Sequence, residues 1–158
     1  MDTSDPIPKV LLVGGDGGPS GVPRHILHLA DAFKSIAQIT VASDLNHGGY
    51  DNLAQLSATH VTLPGLQSRL SIRHLWNGWC GLVRLLKKQP YDLVWLHARL
   101  PVLMGRLALM LRIWRPKHRV AVTYHGLPFG IGHRSVASQM SLWIERILLW
   151  LCPTLDLV

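Results

Sequence analysis

Short apolar runs of strand character alternate with helical segments from one end of the chain to the other, and this alternation limits the fold more than any other feature. Val10-Leu11-Leu12-Val13 is a run closed by glycine, as a strand buried on both faces should be. Residues 21–35 then carry Ile26, Leu29, Ala30 and Phe33 at helical spacing. The β-branched stretch 36–42, a short helix over 51–58 and a third strand over 59–63 follow, the last stopped by Pro64-Gly65. A long helix is expected over 71–88, a fourth strand over 91–97, and a helix over 101–114 with proline at its start. A fifth strand over 118–125, a helix over 135–151 and the opening of a sixth strand in Thr154-Leu-Asp-Leu-Val158 complete the series. Strands and helices of these lengths predict an α/β fold: a doubly wound parallel sheet with helices on both faces, joined by right-handed crossovers. The expected organisation is a flexible segment, 1–8, followed by one Rossmann-like domain, 9–158.

Ligands in such folds bind beyond the carboxyl ends of the strands, near the switch point. Three loops occupy those ends: 14–20 after the first strand, 97–101 after the fourth and 125–134 after the fifth. The first, Gly-Gly-Asp-Gly-Gly-Pro-Ser-Gly over 14–21, leads into a helix N-terminus, where free amides and the helix dipole favour an anion. No lysine lies between Lys9 and Lys34, which excludes a Walker loop. The dinucleotide fingerprint fits at Gly15 and Gly17 but meets Ser20 at its third position, and Asp44 is an acidic residue of the kind an NAD site uses after strand 2. A looser Gly/Ser cradle for a diphosphate or sugar, and a turn without a ligand, are the remaining readings. His125 sits where a strand meets Gly126, and a neutral imidazole there suits a sugar hydroxyl. Arg99, next to His97, is placed to clamp a phosphate, and Arg134 beside His133 is similar.

The net charge of +7 is unevenly placed: residues 1–68 carry −3, residues 69–134 carry +11, and the remainder −1. A face of that kind suits an anionic partner. No reader motif for nucleic acid accompanies it, so nucleic acid is not the expected partner. On 71–88, Trp76 and Trp79 accompany Arg73, Arg84, Lys87 and Lys88, a combination compatible either with an anionic membrane interface or with tryptophans buried in the core. No stretch reaches the roughly 18 uninterrupted apolar residues of a membrane span. The acidic, polar start differs from a signal peptide, and Cys80 and Cys152 fit no disulfide or metal spacing, which points to reduced thiols in an intracellular protein.

The stretches SGVPRHILHLADAF, YDLVWLHARLPVLMGRLALMLR and VAVTYHGLPF, in that order, resemble the N-terminal half of GT-B glycosyltransferases of family 4. The resemblance runs from Lys9 to Val158. It implies one of two Rossmann-like domains around a cleft, with the nucleotide-sugar donor held mainly by a C-terminal half that this chain does not include. By position, Gly17, Gly18, Ser20 and Gly21 would face the donor's phosphates and sugar, and His125, followed by Gly126, would contact the donor sugar at the reaction centre. Ser20 stands where the family usually has a second glycine. Arg24, His97, Arg99 and Arg134 are the candidates for the acceptor side. The implied activity is that of a retaining, metal-independent glycosyltransferase of the hexosyltransferase type, acting on a lipid-linked or polysaccharide acceptor, with no cofactor beyond the donor substrate. The chain is expected to be inactive without a C-terminal half supplied in cis or in trans, as in split glycosyltransferases. Its expected location is cytoplasmic, peripheral on the inner face of the membrane. The competing expectation is a non-catalytic, membrane-associated binding or scaffold subunit, with an NAD-dependent protein behind it.

Overall fold

The computed structural model describes residues 6–67, 71–116 and 119–125, the helical positions 139, 143, 144, 146, 147, 150 and 151, and the strand Asp156–Leu157. The elements are β1 (Lys9–Val13), α1 (Gly21–Phe33), β2 (Gln38–Ser43), a 3-10 helix (Asp51–Leu56), β3 (Thr59–Thr62), α2 (Ile72–Lys88), β4 (Leu93–His97), α3 (Arg99–Met110), β5 (Arg119–Thr123) and β6 (Asp156–Leu157). The six strands form one sheet in the order β3-β2-β1-β4-β5-β6, and every neighbouring pair is parallel. The expected doubly wound Rossmann-like sheet is therefore the observed fold.

The alternation of side chains along β1 explains why both faces need helices. Leu11 and Val13 point into a core shared with Leu82, Leu86, Val102, Met104 and Ala108 of α2 and α3. Val10 and Leu12 point the other way, onto Ile26 and Ala30 of α1 and Leu53 of the 3-10 helix. A strand buried on both sides cannot alternate apolar with polar residues, which is why β1 reads as a continuous apolar run.

Several boundaries differ from the sequence-based expectation, each for a local reason. β2 begins at Gln38 because the amides of Ile36 and Ala37 both donate to the carbonyl of Phe33, closing the end of α1. Residues 51–56 wind as a 3-10 helix that ends where Ser57 enters the left-handed region. α3 starts at Arg99, two residues before Pro101, and stops at Met110, with Arg112 at φ 54° turning the chain and Trp114 tucked under the sheet side of the helix. On α2 the two tryptophans divide between the two readings: Trp76 is 64% exposed, whereas Trp79 packs on the core.

Candidate functional site

The strand order reverses between β1 and β4, so the crevice at their carboxyl ends is where this architecture accommodates ligands. A hollow of about 290 Å³ lies there. Gly15 and Asp16 from the loop after β1, Gln67 from the β3–α2 connection, and Ala98 and Pro101 at the start of α3 line it. A second hollow, of about 150 Å³, is bounded by Ser20, Pro23 and Arg24 on one side and Gly48 and Gly49 on the other.

Three histidines from three separate elements meet at this end of the sheet. His97 closes β4 and is wholly buried. β5 pairs in register with β4, His97 opposite Thr123, so His125 emerges two residues further along the neighbouring strand. His25 is the fifth residue of α1. The ring centroids of His25 lie 5.4 Å from those of His97 and 5.0 Å from those of His125, both edge-on. His125 Nε2 is 3.4 Å from His97 Nδ1. Trp95 stacks on His97 and anchors its own ring by donating from Nε1 to Thr123 Oγ1 at 2.8 Å. Tyr124, next to His125, accepts a 2.8 Å hydrogen bond from the buried Arg106 guanidinium of α3.

Burial, reinforced by His125 and His25 nearby, pushes His97 down to about 3. Burial also lowers His125, and His25 adds to the effect. Both rings are therefore neutral at pH 7, each offering one N–H and one lone pair, which is the form that hydrogen-bonds a sugar hydroxyl or ligates a metal.

The glycine loop serves two ends. A side chain at Gly17 would collide with the carbonyl of Leu45, and one at Gly49 would press on the carbonyls of Gly17 and Gly18. The Gly17 carbonyl accepts from His47 N (2.8 Å) and Gly49 N (3.0 Å), so this part of the loop is packed against the chain itself. Gly21, at the start of α1, faces open space with no atom within 4 Å. Asp44, the acidic residue an NAD site would require, is committed elsewhere. Its carboxylate accepts the backbone amides of Leu45 (2.7 Å), Gly65 (3.0 Å) and Gln67 (2.8 Å), and His74 Nε2 lies 3.4 Å away. Burial pushes its pKa up, but those three amides and His74 together hold it below the usual carboxylate range. Asp44 is a structural clamp, with no oxygen turned to a ribose.

Of the residues expected from the sequence, His97 and His125 are in contact, and Ser20 and Arg24 share the smaller hollow. Gly18 borders the Asp16 carboxylate, which accepts its amide at 3.0 Å. Arg99 is exposed at the first turn of α3 and lines neither hollow. Gly126 and Arg134 lie outside the described residues. Sequence reasoning missed His25, Asp16 and Gln67; the one available signal was the position of the Arg24-His25 pair directly behind the glycine loop.

The model of Glycosyltransferase Family 4 matches residues 19–158. No curated protein matches the sequence. Among solved structures, HepE of Anabaena in complex with UDP and glucose is similar with a TM-score of 0.61 at 18% identity, over 89% of this chain and 35% of HepE. The UDP-glucose complex of HepE gives 0.61 at 16% identity, over 91% of this chain and 34% of HepE. CalG4, the calicheamicin glycosyltransferase, gives 0.52 at 14% identity, over 92% of this chain and 42% of CalG4. The chain thus spans about a third of HepE and about two fifths of CalG4.

Proposed function

The chain belongs to Glycosyltransferase Family 4, and from that premise we propose that it is the acceptor-side, N-terminal half of a retaining glycosyltransferase. The observation that carries the reading is the meeting of His97 and His125 at the carboxyl end of the sheet, beside a helix start left open at Gly21. In this reading the donor is a nucleotide sugar whose sugar ring receives a hydrogen bond from His125 and whose phosphates approach the α1 N-terminus. The departing nucleoside diphosphate is stabilised by positive charge and helix dipoles, without a metal, and most of that charge comes from a C-terminal half. His125 acts as a hydrogen-bonding group and not as a nucleophile. Arg24 and Arg99, both exposed, serve the acceptor.

The groove between α2 and α3 supports a reading of the acceptor class. Ile72, Trp76 and Trp79 of α2 and Leu103, Leu107 and Leu111 on and after α3 line an apolar groove of about 370 Å³. Arg73, Arg99 and Arg112 are exposed on the same two segments. Apolar surface rimmed by cations suits an anionic lipid interface, and hence a lipid-linked acceptor. Among the described residues no helix is long and apolar enough to cross a membrane.

The decisive experiment combines the chain with a C-terminal GT-B half and follows sugar transfer from UDP-glucose and other nucleotide sugars. Transfer by the mixture, reduced about 100-fold or more by His125→Ala, is the expected result. Binding to phosphatidylglycerol vesicles with no transfer by any pairing would instead favour the scaffold subunit, which the same groove supports.

A further inference from the structure

We propose that His25, His97 and His125 form a binding site for one divalent transition-metal ion, with Zn2+ the best match. Each histidine presents one ring nitrogen, and the three nitrogens lie within 4.8 Å of one another. Zinc–imidazole bonds of about 2.0–2.1 Å place the nitrogens of a tetrahedral centre about 3.3–3.4 Å apart. His97 Nδ1 and His125 Nε2 already stand at 3.4 Å. The cis spacing in a square-planar centre is nearer about 2.9 Å, which disfavours Cu2+ and Ni2+ geometries. The nitrogen of the half-buried His25 lies within 4.8 Å of the other two and would have to close to the same spacing.

The donor set selects the class of ion. Among the described residues it is all imidazole with no carboxylate in the cluster, which suits zinc better than Mg2+ or Ca2+. As a purely protein network the cluster is incomplete. Nε2 of His25 is buried and has no hydrogen-bond partner among the described residues. The nitrogen-to-nitrogen contact of His97 with His125 is at 3.4 Å, beyond the usual range for an N–H donor. Three ligands and an open fourth position give a site whose remaining ligand is water or an exchangeable group.

Such an ion joins the first turns of α1 to the ends of β4 and β5, three elements that the chain brings together from positions 25, 97 and 125. It is no part of the transfer chemistry. It would hold the ring of His125, the residue read as the donor sugar's hydrogen-bonding partner, so zinc and donor would compete; this consequence alone rests on the glycosyltransferase reading.

The test is a calorimetric titration of the metal-free 158-residue chain with Zn2+ in the presence of a competing chelator. One equivalent should bind and raise the melting temperature. His25→Gln and His125→Gln, both at half-buried positions, should each weaken binding at least tenfold, while His28→Gln and His47→Gln at exposed positions should leave it unchanged. X-ray absorption at the zinc edge of the unaltered chain should show nitrogen and oxygen neighbours only. Absence of binding, undiminished binding in the His25 and His125 variants, or a sulfur neighbour from a cysteine would each overturn the site. Neither result depends on sugar transfer, which is assayed separately.

Discussion

His97 Nδ1 and His125 Nε2 stand 3.4 Å apart although 28 residues separate them in the chain, because parallel pairing of β4 with β5 fixes His97 opposite Thr123. His97 is buried, and that burial, reinforced by His125 and His25, gives the protein a pH dependence of definite sign. His97 falls to about 3 in the folded state, against about 6.5 in an unfolded chain. A depressed pKa means that the unfolded state binds the proton more readily. The stabilising contribution is complete above pH 6.5 and is lost as the pH falls towards 3. In chelator-treated protein, moving from pH 7 to pH 5 should remove about 2 kcal/mol, with a smaller loss of the same sign from His125. Urea midpoints across that range should follow this slope, and His97→Gln should flatten it.

The two kinds of glycine in the first loop should separate under substitution. Gly17→Ala drives a methyl group into the Leu45 carbonyl and dislodges the amides of His47 and Gly49. The expected loss is about 2 kcal/mol of stability, read from urea denaturation. Gly21→Ala meets nothing within 4 Å and sits where a helix begins, so stability should stay within about 0.5 kcal/mol. If the open space above Gly21 holds the donor, transfer by the reconstituted enzyme should nevertheless fall. Equal effects of the two changes on stability would remove the distinction.

These glycines also show how far the sequence could be read. Five glycines after a first strand announce a close backbone approach, but the sequence is silent on what approaches. At Gly17 the visitor is the loop 45–49, a tertiary contact that no local pattern encodes. The parallel sheet and its two helical layers were legible because Val10–Val13 and its counterparts are short apolar runs that need covering on both faces. His97 and His125 were legible as candidates because one ends a strand and the other follows two residues after the next. His25 was not, since periodicity tells which face of α1 is apolar and leaves open whether a ring beside Ile26 reaches the strand ends. Asp44 left an NAD site open as a minor reading, and only the fold reveals that Leu45, Gly65 and Gln67 already donate three amides to its carboxylate.

Asp44→Ala should therefore act on stability and not on cofactor binding. It leaves the amides of Leu45, Gly65 and Gln67 without their acceptor in a largely buried setting. A loss of about 3 kcal/mol is expected, and Asp44→Asn should recover only part of it, because the amide NH2 would face a backbone N–H. Addition of NAD or NADP should not raise the melting temperature of the unaltered chain. Protection by either would contradict the assignment of Asp44 as a clamp.

Ala98 supplies the last test. It follows His97 directly, at φ 66° and ψ 158°, a conformation populated almost solely by glycine. The position is held from both sides: β4 pairing fixes His97, and the Ala98 carbonyl accepts the amide of Val102 as α3 begins. The methyl group also packs at the wall of the 290 Å³ hollow, beside Gly15. Ala98→Gly removes the strain at the cost of backbone entropy and one methyl contact, so the variant should be more stable by about 1 kcal/mol. Ala98→Val adds a β-branch to the same backbone and should be less stable by about 2 kcal/mol. The turn orients His97, so Ala98→Gly should also loosen the ring and weaken zinc binding while raising the melting temperature of the metal-free chain. A glycine variant no more stable than the parent would show that the turn carries no strain.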